Sequence, residues 1–233
     1  MPSVDKPIAT AITWQARRII PSLFPPVDLF ERVVDPAEYE MAFYIESLTN
    51  DRLRDQVGEL ALVKAEDRIS GCGTTPIMAA FTHIGHASRF TDGSYGVYYA
   101  ANNSETALAE TTYHRAQFYR ATNEPDTRIY MREYVGSVIQ PMLDITANQY
   151  QSLHNADNYQ VSQHYAKQPR QAGAYGLLFN SVRYRNGLCV AVFRPCALTP
   201  VIQAAHYEYF YSAALQSIKY VLLVSEVKLT PPS

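Results

Sequence analysis

The sequence is poor in cysteine and tryptophan, and it has no surplus of charge of either sign. Its 233 residues include three cysteines and one tryptophan, and 20 lysines and arginines stand against 22 aspartates and glutamates. Cys72, Cys189 and Cys196 form no CxxC spacing, so a disulfide framework is not expected and a reducing compartment is favoured. A net charge of −2 at pH 7 argues against binding nucleic acid through a broad basic surface.

Long apolar runs and several well-known motifs are also absent. No segment approaches the roughly 18 consecutive apolar residues of a membrane span, and the N-terminus has no apolar stretch of signal-peptide length. We therefore expect a cytoplasmic protein that makes no membrane contact. The motifs GxGxxG, GxxxxGK[ST] and GxSxG do not occur. His83 and His86 lack the further ligand spacing of a metal site, so no metal is expected.

Tyrosine is what the sequence has in abundance, with 18 copies in a chain that is 47% hydrophobic and 18% charged. This composition is ordinary for a soluble globular protein, and the length allows one large domain or two small ones. A tyrosine serves equally well as a half-buried strand residue or as a stacking and hydrogen-bonding contact. The count alone does not separate these two uses.

Strand and helix signals alternate without the regular spacing of βαβ units, which predicts a mixed α+β fold. Strands are predicted at 28–34, 95–100, 127–139, 175–181, 187–195, 206–212 and 217–229. One or two helices are predicted within 37–64, and a short helix with Pro76 in its first turn is predicted after a turn. A third helical region runs from an N-cap at Asn103 or Ser104 to about Tyr119, and a further helix lies near 158–173.

Two charged side chains in the most strand-rich region are candidates for chemistry. Arg89 precedes the turn "TDGSYG" and a core strand, where its planar fork could clamp a phosphate; the alternative is a surface ion pair. Glu110 borders the apolar face of the helix that follows, so it either has a partner or is placed for use; the alternative is a boundary glutamate on a half-exposed helix. His114, one turn later, is expected to be a core histidine.

Four further residues are open to more than one interpretation. Tyr98 and Tyr99 point to opposite faces of their strand, and one of them should face the core or a cleft. Ser181 directly follows a predicted strand, where it would either bond a ligand phosphate or sugar hydroxyl or cap a turn. Arg32 is a lone charge in a strand pattern, facing either solvent or a polar pocket.

Taken in order, these elements resemble the RES-domain family, named for an arginine, a glutamate and a serine. The similarity runs through "RF…GVYYA…SETALAET" and "AYGLLFNSVRYRNGLCVAVFRP" and covers roughly residues 28–225. The name-giving positions fall on Arg89, Glu110 and Ser181, the strand tyrosine on Tyr99, and the arginine of the N-terminal strand on Arg32. Compact members of the family lack most of residues 1–75.

The resemblance implies an ADP-ribosyltransferase-like β core flanked by helices, and NAD as a substrate rather than a cofactor. By this resemblance, Glu110 lies at the ribose of the scissile nicotinamide bond, and Arg89 and Arg32 bind the pyrophosphate. Ser181 binds a phosphate or the nicotinamide-side sugar, and Tyr99 packs on the ligand or forms a hydrogen bond with it. No metal is required. We expect a catalytic core at 76–233 that includes the strand at 28–34.

Residues 1–75 are expected to form a partly helical extension packed on that core. It would cover the cleft, form a homo-oligomer interface or dock a partner, and the sequence leaves these roles open. Family members are toxins that deplete NAD by hydrolysis or phosphorolysis, usually beside an Xre-type antitoxin, or that transfer ADP-ribose. The leading expectation is an NAD-degrading toxin; the alternatives are a mono-ADP-ribosyltransferase and a non-catalytic NAD or ADP-ribose binding module.

Overall fold

The computed structural model describes residues 6–21 and 59–225, and a nine-stranded sheet runs through this part of the chain. The strands are β1 (Ala9–Thr10), β2 (Gln15–Pro21), β3 (Tyr98–Ala101), β4 (Thr127–Ser137), β5 (Met142–Asp144), β6 (Gly176–Asn180), β7 (Leu188–Val192), β8 (Ile202–Ser212) and β9 (Ser217–Val224). Their order across the sheet is β1-β5-β6-β7-β3-β2-β4-β8-β9. β5 and β6 are parallel and all other neighbours are antiparallel. The predicted α+β class is confirmed.

Three α-helices lie in the described ranges, together with short 3-10 turns. The α-helices are α1 (Thr75–Thr82), α2 (Ser104–Ala121) and α3 (Gln160–Gln171), and the 3-10 turns are Leu60–Leu62, Ala65–Asp67, Asn148–His154 and Pro195–Ala197. α2 begins after the predicted N-cap Asn103, whose side chain accepts a hydrogen bond from the Thr106 amide. None of the helices in the described ranges has the length and apolar character of a membrane span.

Apolar clusters cover both faces of the sheet. On one face Tyr98 is fully buried in a cluster with Ile77 and Met78 of α1. On the other, Tyr99 packs against a cluster that contains Phe90 and Phe179. The strand alternation predicted for the tyrosine pair is confirmed, because each ring belongs to a different face.

The strand β2 was not predicted, and it lies in the middle of the sheet. It pairs with β4 along seven register positions but with β3 at only one, Arg17 opposite Ala101. The sheet is therefore weakly joined between β3 and β2. The predicted strand at 28–34 and most of the predicted helical range 37–64 fall outside the described residues, and the division of the chain at residue 75 stays a prediction.

Candidate functional site

A cavity of about 340 Å³ opens where β2, β3 and α2 meet. This volume lies within the range of small-molecule sites. Its lining is Arg17, Arg18, Ile19, Ile20, Pro21, Ser88, Arg89, Tyr99, Ala100, Ala101, Ala107, Glu110, Thr111, His114, Arg115, Met131, Phe179 and Cys189. Four of these residues are arginines and one is a glutamate, so the cavity favours an anionic ligand.

Glu110 reaches the cavity from the second turn of α2 and is bonded to the predicted serine. Its Oε1 accepts a hydrogen bond of 2.6 Å from the Ser181 hydroxyl. Its Oε2 lies 3.9 Å from Nε2 of His114, one helical turn further on. The structure thus brings together two residues that are 71 positions apart in the sequence, as expected if they act on one ligand.

Ser181 is fixed by the turn that follows β6. Its Oγ accepts hydrogen bonds from the amides of Arg183, at 3.2 Å, and Tyr184, at 3.0 Å, while its hydroxyl proton points to Glu110. The turn-capping interpretation is therefore correct. The same bonds aim the serine at the carboxylate, so the two interpretations do not exclude each other.

Arg89 is buried at 7% exposure beside the cavity. Its Nη1 donates to the carbonyls of Asn155, at 2.7 Å, and Leu153, at 3.4 Å, and its guanidinium lies 4.6 Å from the ring centroid of Tyr159. Among the described residues it has no ion-pair partner, so the surface ion pair is wrong. Carbonyl oxygens orient the guanidinium without cancelling its charge, which leaves that charge for a ligand.

Tyr99 holds the segment that carries Arg89. Its hydroxyl is 2.8 Å from the Ser88 Oγ and accepts a bond of 3.0 Å from the Phe90 amide, on either side of the arginine. Burial raises the pKa of Tyr99 to about 12, so the phenol is neutral near pH 7. The ring also lines the cavity, where direct contact with a ligand stays a prediction.

Two arginines of β2 line the cavity although the sequence analysis singled out neither. The Arg18 guanidinium lies 4.6 Å from the Tyr98 ring centroid, and its Nη1 donates to the Tyr99 carbonyl across the weak β2–β3 junction. Burial lowers the pKa of Arg18, and its Nε is buried without a hydrogen-bond partner among the described residues. A half-buried cation whose buried Nε has open hydrogen-bonding capacity is well suited to an anion.

Arg17 and Arg115 are the other two arginines that line the cavity. Arg17 donates to the buried Glu133 at 3.2 Å, and that carboxylate also accepts 2.7 Å from the Ser104 hydroxyl. Arg115 on α2 has neither a hydrogen bond nor an ion pair to any described residue, and burial lowers its pKa. The signal available in the sequence was the adjacent pair Arg17-Arg18 inside an otherwise apolar strand pattern.

His154 is the last residue of the 3-10 turn whose Leu153 carbonyl contacts Arg89, and its ring bonds to the end of β6, next to Ser181. One ring nitrogen, Nδ1, is 3.0 Å from the Tyr150 carbonyl, and Nε2 accepts the Asn180 amide at 3.2 Å. These partners define a neutral ring protonated at Nδ1. Burial lowers the pKa of His154, Tyr150 opposes this, and Arg89 adds to it.

Two other residues differ from expectation or lie out of view. His114 is not a core residue, because its side chain is 45% exposed and lines the cavity. Arg32 lies outside the described residues. Within the described ranges, no three or more histidine, cysteine, aspartate or glutamate side chains are grouped so as to hold a metal ion.

The fold and the cavity define an α+β protein with a cationic small-molecule site built around one carboxylate. The sequence pattern of the RES domain matches residues 66–212. This is more than half of the chain, and the protein belongs to the RES domain family.

Two individual proteins are similar to this chain. The uncharacterized protein y4oC of Sinorhizobium fredii is 28% identical over 211 residues, which span 90% of this chain and 88% of that protein. One chain in the crystal structure of the M. tuberculosis MbcT–MbcA toxin–antitoxin complex is 16% identical with a TM-score of 0.38, over 55% of this chain and 74% of that one.

Proposed function

We propose that the protein is an NAD-consuming enzyme that breaks the bond between nicotinamide and ribose. The observation that carries this proposal is the hydrogen-bonded Ser181–Glu110 pair at a cavity lined by four arginines. NAD combines a pyrophosphate, which such arginines bind, with a glycosidic bond to a cationic leaving group. The family resemblance of Arg89, Glu110 and Ser181 points to the same substrate.

The chemistry requires a carboxylate close to the ribose. Breaking an N-glycosidic bond to nicotinamide develops oxocarbenium character on the sugar, and a nearby negative charge stabilises it. Glu110 supplies that charge, and Ser181 holds the carboxylate in one orientation while leaving its second oxygen directed into the site. The leaving group departs as neutral nicotinamide and needs no proton.

Three arginines at the cavity, Arg18, Arg89 and Arg115, have no acidic partner among the described residues. Arg89 is buried, Arg18 is half-buried, and the guanidinium groups of both are held only by backbone carbonyls and aromatic rings. We assign the pyrophosphate to these two side chains. The family position at Arg32 stays a prediction from the resemblance, and Tyr99 is assigned to packing beside the ligand.

The biological role that fits this chemistry is that of a toxin neutralised by an antitoxin, as the family resemblance implies. An Xre-type antitoxin is the expected partner. A mono-ADP-ribosyltransferase acting on a specific protein would use the same site with a different acceptor. A binding module that lacks catalysis is the weaker alternative, because binding alone does not require Glu110.

The test is incubation of the purified protein with NAD, with and without phosphate, followed by separation of the products. We expect nicotinamide together with ADP-ribose, or with ADP-ribose 1″-phosphate when phosphate is the acceptor. The matched control is Glu110→Gln, which keeps the size of the side chain. Intact NAD with both proteins would contradict the proposal, and tight binding without cleavage would favour a transferase that lacks its target.

A further inference from the structure

His114 occupies a position that neither the fold nor the proposed substrate contacts explain. It lies on the cavity side of α2, and its side chain is 45% exposed. The neighbouring ring of Tyr113 meets it edge-on at a centroid distance of 5.4 Å. A polar ring held at the solvent side of a cavity is available for chemistry.

The two oxygens of Glu110 have different surroundings. Oε1 is engaged by the Ser181 hydroxyl at 2.6 Å, whereas Oε2 faces His114 Nε2 at 3.9 Å. That separation is too long for a direct hydrogen bond, but a water molecule beside both atoms can bond to each of them. Glu110 and His114 therefore converge on one point in the cavity.

Partial removal from water, together with the neighbouring arginines, favours the neutral imidazole of His114. Glu110 and Arg115 flank it on α2, Arg89 faces it from the loop before β3, and Arg183 from the loop after β6. Removal from water lowers the pKa of His114, Glu110 opposes this shift, and the three arginines add to it. A neutral imidazole near pH 7 is able to accept a proton.

We propose that His114 accepts the proton of a water molecule that attacks the ribose carbon, a role that rests on the proposed NAD cleavage. The carbon–nitrogen bond to nicotinamide breaks and its electron pair neutralises the pyridinium nitrogen. The water oxygen bonds to the same ribose carbon, and one water proton moves to Nε2. The products are nicotinamide, ADP-ribose and a proton, which leaves through the exposed edge of the ring.

This role separates two classes of nucleophile. Water must lose a proton as it attacks, whereas the phosphate dianion attacks through an oxygen that carries none. Loss of the His114 imidazole should therefore impair hydrolysis and spare phosphorolysis. A residue that only supports the fold or the NAD site would affect both reactions equally.

The experiment compares the unchanged protein with His114→Gln at saturating NAD, over a series of phosphate concentrations. We expect ADP-ribose formation to fall about 100-fold, the lower end for loss of a general base, while ADP-ribose 1″-phosphate formation changes by less than about threefold. Because the product ratio is measured within the folded molecules, partial misfolding does not affect it. The control is His164→Gln on α3, an exposed histidine outside the cavity, which should keep the ratio of the unchanged protein.

Two results would overturn the assignment of His114: an equal decrease of both products, or no decrease of ADP-ribose. If the protein does not use phosphate as an acceptor, the pH dependence of hydrolysis serves as a second readout. Hydrolysis by the unchanged protein should fall with decreasing pH as His114 becomes protonated. His114→Gln should lose that dependence, and a retained acidic limb would again contradict the role. Absence of nicotinamide release from the unchanged protein would instead overturn the proposed function, and this inference with it.

Discussion

Two regions of the molecule each hold a buried or half-buried arginine, and they treat its charge in opposite ways. Arg194 meets Asp67 through Nε, at 2.9 and 3.0 Å, and through Nη2, at 2.6 Å, and Cys196 also donates to this carboxylate. Arg89 is held by two carbonyls and an aromatic ring instead. The first charge is neutralised within the protein, and the second is not.

This difference distinguishes an arginine that stabilises the fold from one whose charge is available to bind a ligand. A bidentate carboxylate satisfies both the geometry and the charge of a guanidinium. Carbonyl groups satisfy only the geometry, and they leave a positive charge in a partly dry cavity at a cost to stability. Such a cost is retained where a bound anion offsets it, and we therefore assign Arg89 and Arg18 to the proposed functional site.

Glu110→Gln should have the largest effect on activity, because it removes the negative charge from the cavity wall without changing its shape. We expect nicotinamide release to fall about 1,000-fold, the order found when a preorganised electrostatic contact at a transition state is lost. The thermal midpoint should stay within a few degrees. Turnover at the rate of the unchanged protein would show that Glu110 has no role in the reaction.

Arg89→Ala should act on substrate binding. A charge-assisted phosphate contact contributes about 2–3 kcal/mol, which corresponds to roughly a 30- to 150-fold rise in KM for NAD. Arg89→Lys keeps the charge but not the planar fork, so it should recover part of this loss. Calorimetric titration with NAD measures both variants, and unchanged affinity in the alanine variant would place the pyrophosphate elsewhere.

Arg194→Ala should produce the converse result. Removing it leaves the buried Asp67 carboxylate without its main partner, which should lower the free energy of unfolding by about 1–3 kcal/mol, given that Arg194 itself is partly exposed. Denaturation by urea measures this loss. The KM for NAD should remain that of the unchanged protein, and a weaker NAD affinity would remove the distinction between the two arginines.

The pH dependence of the Arg194 contribution has a defined sign. Burial alone would raise the pKa of Asp67, but hydrogen bonds from Arg194 and Cys196 and the positive charges of Arg194 and Lys64 together hold it below the ordinary value of 3.8. The stabilisation is therefore complete above that value and is lost as the pH falls through the lowered pKa. The stability difference between the unchanged protein and Arg194→Ala should be constant near neutral pH and shrink only below about pH 4.

His154→Gln should have the smallest effect, confined to mildly acidic pH. Because burial lowers the pKa of His154 from 6.5, the unfolded chain takes up its proton first. Its contribution to stability is present above pH 6.5 and is lost as the pH falls through the lowered value. Glutamine keeps an acceptor for the Asn180 amide but does not titrate. The thermal midpoint of the variant should therefore vary less with pH than that of the unchanged protein. His164→Gln is the control. Equal pH profiles would contradict this.

Local signals in the sequence were sufficient for α2 and for the strands around it. The Asn103 cap, the β-branched and aromatic runs, and the turn with Pro76 each act within a few residues, so they could be predicted. The central strand β2 could not, because its pairing with β4 joins positions more than one hundred residues apart and two adjacent arginines conceal its apolar pattern.

In the candidate site, too, some features could be predicted from the sequence and others could not. Arg89, Tyr99, Glu110 and Ser181 were predicted through a family resemblance, and the structure places them at or beside one cavity. The carbonyls that hold Arg89 have no residue type, so no sequence pattern reveals them. The cavity-facing position of His114 was missed because its helical spacing put it on a face that the apolar pattern assigned to the core.

The most direct test of the account is a crystal structure of Glu110→Gln in complex with NAD. We predict that the pyrophosphate contacts the guanidinium groups of Arg18 and Arg89, and that the nicotinamide ribose lies between the residue at 110 and His114. NAD bound outside this cavity, or a cavity that stays empty at saturating NAD, would contradict it.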